Sequence, residues 1–399
     1  VSGRIETIFA FSGILPTIFS GSYPEVHGIW TTFCYCPVSS SFRWIRPLLP
    51  VISLFENIPD ARTALTFGIS ALTGIVNYLE GHTAAFTHGF QAHAIPFHLA
   101  SCFDFSMKKV ASEKGSLSPV TTLFDILRDT GTSFSYVDLP LVYTESTRQL
   151  RWWVKYSDYK ACEGAKSLLR KHKSKFFFLH LCGLDAVAHQ YGPWSKRSIE
   201  EVKQLDYLIE DLATEFGKHY ESVKIVIFGD HGMVDVDSTL DIRAQIEESG
   251  LEEKKDYLIF LDSTMARFWF KSKEARIRAI EVLGDIKRGR ILTEDDFTRF
   301  RINFPHTKYG EVIFLLDSGV VISPNYFQGS DVVKGMHGYD PINSGLDTVL
   351  IVHGSRVAGR HMEKAKLVDV FPTLLDILRL PASGKYEGKS VLNSSQRLE

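Results

Sequence analysis

The sequence predicts an α/β protein with a mostly parallel central sheet, helices on both faces of that sheet, and a small inserted α+β subdomain. The chain has 399 residues and is 44% hydrophobic and 23% charged, so it is long enough to bury a large core. Nearly continuous apolar runs alternate with amphipathic segments, as expected for parallel strands covered on both sides. Two of the apolar runs end on aspartate and histidine, at the position where open α/β sheets bind ligands.

The clearest strand and helix signals lie in the middle of the chain. KFFFLHLCGLD at 175–185 predicts a buried strand, and VKIVIFGDHG at 223–232 predicts the next one. Residues 195–219 between them predict an amphipathic helix, with Ser198 and Glu201 as a capping box. The apolar side of that helix consists of Ile199, Val202, Leu205, Leu208, Ile209 and Leu212. Strand, helix and strand in this order predict a right-handed βαβ unit.

The remaining segments predict one core and one insertion. A third strand is predicted at 348–354, followed by a helix at 366–381. The core is therefore assigned to residues 1–254 and 331–399, with 45–110 as helices and loops that cover the sheet. Residues 255–330 contain strand-like stretches at 265–270 and 311–324 around a helix at 273–286. These residues are predicted to form the inserted α+β subdomain.

Charge and cysteine content exclude some classes of protein. The formal net charge of −2 gives no support for a nucleic-acid partner, and no apolar run is long enough to span a bilayer. The five cysteines (Cys34, Cys36, Cys102, Cys162 and Cys182) lack a disulfide-framework spacing, which favours a reducing, cytoplasmic compartment. Because the chain opens on Val1 with no signal-peptide pattern, we expect a trimmed start, and a secreted or periplasmic location stays open. The sequence gives no indication of an oligomeric state.

Ligand-type residues follow the predicted strands. Asp185 and His189 are four apart and can share one helix face, and Asp230 and His231 end the next strand. His337 lies among glycines where the chain returns from the insertion. Nitrogen and carboxylate ligands together suit zinc or manganese, and two ions about 4 Å apart can clamp a displacement at phosphorus. The alternative is a turn in which Asp230 caps a helix and His231 is solvated.

Ser12 is the candidate nucleophile. It precedes a short predicted helix that ends at Gly21, where backbone N–H groups and the helix dipole favour an alkoxide and an incoming phosphate. The alternative is a plain N-cap serine. Thr17 and Ser20 are the competing hydroxyls, and both fall inside or at the end of the helix.

Several motifs resemble the alkaline phosphatase superfamily, and in particular its type I phosphodiesterase/nucleotide pyrophosphatase branch. These are SGSYPEVHGI at 20–29, SPVTTLFDILRDTGT at 118–132, LDAVAH at 184–189, GDHGM at 229–233, MHGYDP at 336–341 and DVFPTLLDILRLP at 369–381. The resemblance implies an alkaline-phosphatase-like three-layer sandwich. It also implies hydrolysis of a small-molecule phosphate ester or nucleotide-like substrate.

The resemblance further implies two divalent metal ions, zinc or alternatively manganese. One ion would take Asp185, His189 and His337, and the other would take Asp230, His231 and Ser12. Ser12 would form a covalent phospho-enzyme that is then hydrolysed.

Two departures from the family pattern concern the nucleophile and the second ion. The family's Thr-Phe-Pro-Asn stretch is absent, so Ser12 is assigned by position. The family places an aspartate upstream of the nucleophile, whereas only Glu6 precedes Ser12 here. We therefore expect an upstream segment of about 30 residues that carries an aspartate, since a strand and its crossover need a dozen or more connecting residues. The second ion would be held less firmly and completed by Glu6 or water.

Four alternatives share this fold. A sulfatase needs cysteine or serine followed by x-Pro-x-Arg, which is not found after Ser12. A phosphomutase, a phosphoethanolamine-type transferase and an inactive binding homologue also stay open. The histidines at His82, His88, His93 and His98 are interpreted as structural or surface residues, because their spacing fits neither a helix face nor a zinc motif.

Overall fold

The computed structural model describes residues 1–79, 95–138, 141–144, 148–150, 157–355, 357 and 359–392. Its α-helices are α1 Ile14–Ser20, α2 Pro24–His27, α3 Leu49–Ile52, α4 Pro59–Leu79, α5 Phe97–Ala100, α6 Leu123–Asp129, α7 Asp158–Lys171, α8 Gly183–Tyr191, α9 Lys196–His219, α10 Ile242–Glu248, α11 Lys273–Asp285, α12 Glu294–Phe300 and α13 Val370–Leu378. Its strands are β1 Ser2–Glu6, β2 Phe33–Tyr35, β3 Phe103–Phe105, β4 Phe134–Asp138, β5 Leu141–Thr144, β6 Arg148–Leu150, β7 Phe176–Leu179, β8 Lys224–Phe228, β9 Val234–Asp235, β10 Ser238–Leu240, β11 Tyr257–Leu261, β12 Met265–Phe270, β13 Gly289–Ile291, β14 Val312–Leu316, β15 Val320–Ile322, β16 Gly335–Met336, β17 Thr348–Gly354 and β18 His361–Lys366.

The strands of the core are mixed in direction, which corrects the prediction of a mostly parallel sheet. One sheet has the order β18-β1-β17-β8, and another has the order β6-β5-β4-β7. Parallel pairing occurs between β1 and β18 and between β4 and β7, whereas β17 is antiparallel to both β1 and β8. The Gly229 N–H donates to Val349 O, so β17 starts beside the end of β8. A strand that starts at that edge must run back along β8, which explains its direction.

The predicted βαβ unit is divided between two hydrogen-bonded sheets. In the described chain β7 and β8 are each the edge strand of a different sheet, with α9 between them in sequence. Helix α9 is capped by Ser195, whose side chain accepts the Ser198 N–H, so the helix begins earlier than the predicted capping box. The predicted apolar face of α9 is only partly covered, because Ile199 and Val202 are exposed.

Residues of the predicted insertion form a sheet of their own. Strands β11, β12, β14 and β13 are hydrogen-bonded in that order, and every pair is antiparallel. The predicted stretch at 311–324 is two strands, β14 and β15, rather than one. The boundaries 255–330 stay a prediction.

Much of the segment 45–110 packs on this second sheet, and its predicted role as a cover of the main sheet stays a prediction. Ile45, Ile52 and Phe103 belong to one buried cluster with the side chains of β11 and β12. The segment also contains β3, which pairs with β2, although the sequence showed no clean strand there. Phe97, Phe103 and Phe105 of this segment therefore form a core with the insertion, because each aromatic side chain buries a large apolar area.

The other large core joins the main strands to the helices near the chain ends. Ile5, Phe19, Phe124, Leu350 and Phe371 are all buried in it. Helix α1 ends at Gly21 in the left-handed conformation, as predicted for the residue after the short helix. No helix in the described part of the chain is both long and apolar enough to cross a membrane.

Candidate metal centre

The first two candidate ligands lie on α8. Asp185 and His189 are four residues apart in this helix and therefore face the same side, as their spacing predicted. The start of α8 is held by Asp158, whose carboxylate accepts the N–H groups of Cys182 and Gly183 at 3.1 Å. A Cβ at Gly183 would lie 2.4 Å from that carboxylate, so the tight start requires glycine.

The pairing of β9 with β16 brings His231 and His337 together. Gly335 pairs with Asp235 and Met336 pairs with Val234, so the chain just before β9 meets the chain just after β16. The two imidazole rings are stacked, with centroids 3.7 Å apart and an interplanar angle of 16°. A two-residue antiparallel pair thus joins residues that are far apart in the sequence.

Asp185, His189 and His337 form a group that fits a divalent cation. Each offers one ligand atom, and these atoms all lie within 4.8 Å of one another. His189 Nε2 is 3.3 Å and His337 Nε2 is 3.8 Å from Asp185 Oδ1. Within the described residues, Asp185 Oδ1 and His337 Nδ1 are buried and have no hydrogen-bond partner. One carboxylate and two imidazoles are a donor set typical of zinc.

The tautomer of His189 is determined by its backbone partner. His189 Nδ1 is 2.8 Å from Gly335 O, and a carbonyl can only accept, so Nδ1 carries the proton that is donated. The Nε2 atom is therefore the one turned to Asp185. Such a bond orients a metal-binding imidazole and raises its basicity.

The pKa shifts in this group have opposing causes. Burial alone would raise the pKa of the Asp185 carboxyl, but the His189, His337 and His231 rings outweigh it and hold this pKa below its usual range. Burial, together with the neighbouring His231, lowers the pKa of His337 far below its ordinary value, so this ring is neutral. Burial would lower the pKa of His189 too, but Asp185 raises it. An anionic carboxylate and a neutral imidazole are the forms that bind a metal.

Asp230 and His231 lie beside this group. His231 Nδ1 is 3.0 Å from Gly232 O, and its Nε2 is 3.5 Å from Asp230 Oδ2. Thr7, which follows β1, donates its hydroxyl to Asp230 O at 2.8 Å. No helix starts at Asp230, whose Oδ1 accepts the His231 N–H, so the alternative of a helix cap is wrong. Glu6 lies 3.7 Å from Lys364 Nζ.

The glycines of the GDHG stretch permit close backbone packing. A Cβ at Gly229 would lie 1.8 Å from Thr348 Oγ1, and one at Gly232 would lie 2.5 Å from Gly345 O. The segment that carries Asp230 and His231 can therefore approach the start of β17 only without side chains at these two positions.

Ser12 lies before α1 and contacts a second hydroxyl. Its Oγ donates to Thr32 Oγ1 at 3.2 Å, and the preceding residue, Phe11, has its ring centroid 5.9 Å from that of His337. The N-cap of α1 is Gly13, with no side-chain capping bond, so Ser12 is not a plain N-cap serine. Thr32 is a neighbour that the sequence did not indicate.

The competing hydroxyls are engaged elsewhere. Thr17 is fully buried, with Oγ1 2.9 Å from His27 Nε2. Ser20 is also buried and donates to Pro16 O at 2.7 Å. Both side chains satisfy local bonds within the core, which leaves Ser12 as the half-buried hydroxyl of the three.

A further polar cluster was missed. His180 Nδ1 lies 3.1 Å from Asp138 Oδ1, and its Nε2 lies 3.5 Å from Cys182 Sγ. Tyr136 donates to Asp138 Oδ2 at 2.9 Å. Burial opposes a charge on His180, but the bonds to Asp138 and Cys182 outweigh it and raise the pKa of His180. The available signal was a histidine inside the apolar run 175–185.

Of the row of four histidines, the structure describes His98, and this residue lies outside the metal centre. His98 Nε2 is 3.3 Å from Glu253 Oε1, which is a contact between surface helices and loops. His82, His88 and His93 lie outside the described residues. None of the five cysteines forms a disulfide, and Cys34 Sγ lies 3.3 Å from Cys36 Sγ.

Comparison with protein-family models identifies one match. The model described as type I phosphodiesterase / nucleotide pyrophosphatase matches residues 73–340, which is more than half of the chain. This match covers α8, β8 and the His337 loop.

Solved structures share the fold. Murine ectonucleotide pyrophosphatase/phosphodiesterase 5 is 16% identical in sequence, with a TM-score of 0.62. The superposition covers 97% of this chain and 88% of the murine chain. An inactive form of the murine protein in complex with AMP is 15% identical, with the same coverage and TM-score. The human protein is 18% identical, with a TM-score of 0.55 over 70% of this chain and 75% of its own. The likeness confirms the predicted alkaline-phosphatase-like α/β class.

Short segments are similar to transferases. The GPI ethanolamine phosphate transferase 1 of Aspergillus fumigatus is 34% identical over 101 residues, which are 23% of this chain and 10% of the transferase. That of Yarrowia lipolytica is 40% identical over 70 residues, 17% of this chain and 7% of the transferase. The chain thus matches a tenth or less of the length of these relatives.

Proposed function

The chain belongs to the type I phosphodiesterase/nucleotide pyrophosphatase family, and we propose that it is a metal-dependent hydrolase of phosphoric diesters or nucleotide pyrophosphates. The observation that carries the proposal is the Asp185, His189 and His337 group, whose ligand atoms lie within 4.8 Å of one another. Asp230 and His231, beside that group, are the proposed ligands of a second ion. Zinc suits these donors, and manganese is the alternative.

The side chains and carbonyl groups around the site complement the charge of a cation and orient its ligands. A bound divalent ion supplies positive charge that offsets the negative charge of the phosphoryl oxygens. The Asp185 carboxylate balances part of that charge, and the Gly335 carbonyl holds His189 in the orientation that its ligand role requires. The Phe11 ring packs near His337, with the two ring centroids 5.9 Å apart.

Ser12 is the proposed nucleophile. Its Oγ would lose the hydroxyl proton and form a bond to phosphorus while the bond from phosphorus to the leaving-group oxygen breaks. Water would then attack the phosphoserine and release Ser12 with its proton restored. The half-buried hydroxyl, its bond to Thr32 and the neighbouring Phe11–His337 contact support this role. A nucleotide-like substrate is supported by the structure of the murine relative with AMP.

Phosphoethanolamine transfer is the second candidate. It is favoured by the 31–40% identity of short segments to GPI ethanolamine phosphate transferases. In the first half of such a reaction Ser12 would take the ethanolamine-phosphoryl group from the donor, whose alcohol leaves. In the second half the hydroxyl of an acceptor alcohol, in place of water, would bond to phosphorus and release Ser12 with its proton restored. The two candidates therefore differ in the acceptor and not in the proposed nucleophile.

The proposal is tested by metal content and by hydrolysis of a chromogenic phosphodiester. We expect the chain, purified without chelator, to hold divalent metal and to hydrolyse bis(p-nitrophenyl) phosphate. Asp185→Asn should lose bound metal and at least about 10³-fold in kcat/KM, because a ligand charge is removed. Asp206→Asn, an exposed carboxylate on α9, is the matched control and should change neither.

Two outcomes would decide against hydrolysis. The metal centre would be contradicted if the unaltered chain bound neither zinc nor manganese and Asp185→Asn had the same metal content and activity. If release of p-nitrophenol occurs only when an acceptor alcohol is added, and that alcohol is recovered as a p-nitrophenyl phosphodiester, phosphoethanolamine transfer replaces hydrolysis as the proposed function.

A further inference from the structure

Helix α4 has its polar side turned inward and its apolar side turned outward. Thr66, Thr73 and Asn77 are buried, whereas Phe67 and Leu79 are 77% and 79% exposed. The exposed side also includes Leu72, Ile75 and Val76. A helix on the surface of a soluble domain normally shows the opposite arrangement.

The inverted arrangement is unfavourable in water. Trp44 Nε1 donates to Thr73 Oγ1 at 3.0 Å, which satisfies one of the inward-facing groups. Thr66 Oγ1 and Asn77 Oδ1 are buried with no hydrogen-bond partner among the described residues. Burying an unpaired polar atom costs free energy, and so does leaving large apolar side chains in water. Contact of the outer side with an apolar medium would remove the cost of the exposed side chains.

The exposed apolar side continues beyond α4. Among the described side chains of residues 48–79, ten large hydrophobic ones are exposed, and they come from the end of the turn before α3, from α3, from the turn after it and from α4. They are Leu48, Val51, Leu54, Phe55, Ile58, Phe67, Leu72, Ile75, Val76 and Leu79. This set is named the apolar face. Contiguous apolar patches of this kind mark sites of contact with a protein or a membrane.

The composition of the apolar face favours a lipid rather than a protein. No charged residue occurs from Thr63 to Leu79, although α4 has 21 residues and is about 30 Å long. A protein interface carries roughly one hydrogen bond per 100–200 Å² and a polar rim, whereas the exposed side chains described in α4 beyond Thr63 are all hydrocarbon. Hydrocarbon side chains without polar neighbours match the acyl region of a bilayer.

The residues before α3 match the headgroup region. Arg43 and Arg46 are exposed, and Trp44 between them is half-buried. Arginine attracts anionic lipid phosphates, and tryptophan is enriched at the boundary between headgroups and acyl chains. The basic end therefore complements an anionic lipid surface, although the whole chain has a net charge of −2.

We propose that residues 43–79 dock the protein on a phospholipid bilayer, with α4 lying in the plane of the interface. The apolar face enters the boundary between headgroups and acyl chains, and Arg43 and Arg46 contact the phosphates. Such binding grows with the apolar area buried and with the anionic lipid content. This docking does not depend on the proposed hydrolase activity.

Vesicle flotation tests the docking directly. We expect the full chain to float with phosphatidylcholine vesicles that contain phosphatidylserine, and less with phosphatidylcholine alone. The triple variant Phe67→Gln/Leu72→Gln/Ile75→Gln should reduce the bound fraction by about tenfold or more, because it removes apolar contact area. The matched control Ile277→Gln/Val332→Gln/Ile342→Gln changes three exposed apolar residues elsewhere and should bind as the unaltered chain does.

A second variant separates the two contributions. Arg43→Gln should weaken the preference for phosphatidylserine and leave binding to phosphatidylcholine alone unchanged, because it removes only one of the two ionic contacts. Circular dichroism of each variant reports whether the helices are retained.

Two results would overturn the proposal. One is an unaltered chain that stays in the unbound fraction with both vesicle types. The other is a dimer, measured by light scattering, that the triple variant dissociates while no vesicle binding occurs. That second result would assign the apolar face to contact between copies of the chain.

Discussion

At the scale of single residues, the hydroxyl groups near α1 are distinguished by their partners. Ser12 is half-buried and bonded to Thr32, whereas Thr17 is fully buried against His27. Their sequence positions differ by little more than one helical turn, so periodicity alone left both open as nucleophiles. Burial decides between them, because a nucleophile must reach the substrate.

Ser12→Ala should therefore lose at least about 10³-fold in phosphodiester turnover, while the loss of the bond to Thr32 lowers the free energy of unfolding by only about 1 kcal/mol. Thr17→Ala should keep turnover per folded molecule but cost about 1–3 kcal/mol of stability, since His27 loses its buried partner. Steady-state kinetics and urea unfolding measure both. Full activity in Ser12→Ala, together with loss of activity in folded Thr17→Ala, would reverse this assignment.

At the scale of elements, the loop after β16 is held by the second sheet and α12. Thr264 donates its hydroxyl to Gly338 O at 2.7 Å. Arg299 donates through two nitrogens to Asp340, at 2.8 and 2.7 Å, and Arg290 adds a bond of 3.0 Å. The loop carries His337, so residues of the predicted insertion position a candidate ligand that belongs to the core.

Asp340→Asn should weaken metal binding by about tenfold, because it loosens the bonds that orient the His337 loop. Competition with a chromogenic chelator measures this affinity without reference to turnover. The matched control is Glu281→Gln, which breaks an exposed pair with Arg278 on α11 and should leave the affinity unchanged. Equal affinities for both variants would show that the loop is positioned by other contacts.

At the scale of the whole molecule, acid stability depends on a buried histidine. Burial lowers the pKa of His27 from 6.5 to about 3. The Ile29 N–H donates to Nδ1, so the neutral ring presents its proton on Nε2 to Thr17. Between pH 6.5 and pH 3 the unfolded chain binds a proton at this position that the folded chain does not. The contribution of neutral His27 to the free energy of unfolding is therefore fully present above pH 6.5 and is lost as the pH drops toward 3.

His27→Gln should reduce this dependence on pH. At pH 4.5, protonation of His27 in the unfolded chain lowers the free energy of unfolding by about 2–3 kcal/mol relative to pH 7. Glutamine does not titrate, so the variant lacks this loss. Denaturant unfolding at both pH values gives the two differences in free energy. If the variant and the unaltered chain lose the same amount, His27 is not the group responsible.

The sequence predicted many elements correctly because local patterns determine them. The bounds of β12 at 265–270 and of β17 at 348–354 agree with the apolar runs, and α1 stops at Gly21 as predicted. Directions and sheet partners were predicted less well. The period of an apolar pattern tells which side of a strand is buried but not which strand lies beside it. The antiparallel direction of β17 and the separation of β7 from β8 depend on where the chain re-enters the sheet.

The sequence by itself determined the ligand types and the pairing of Asp185 with His189, because residues four apart on a helix must share a face. It also determined, through the motifs it shares, the family and the class of fold. The family resemblance had already grouped His337 with this pair. Only the tertiary structure decided how closely the three ligand atoms approach one another and that His231 stacks on His337. That geometry depends on the short pairing of β9 with β16 and on the loop contacts of Thr264 and Asp340. These contacts join distant parts of the chain, and a local pattern of polar and apolar residues carries no information about them.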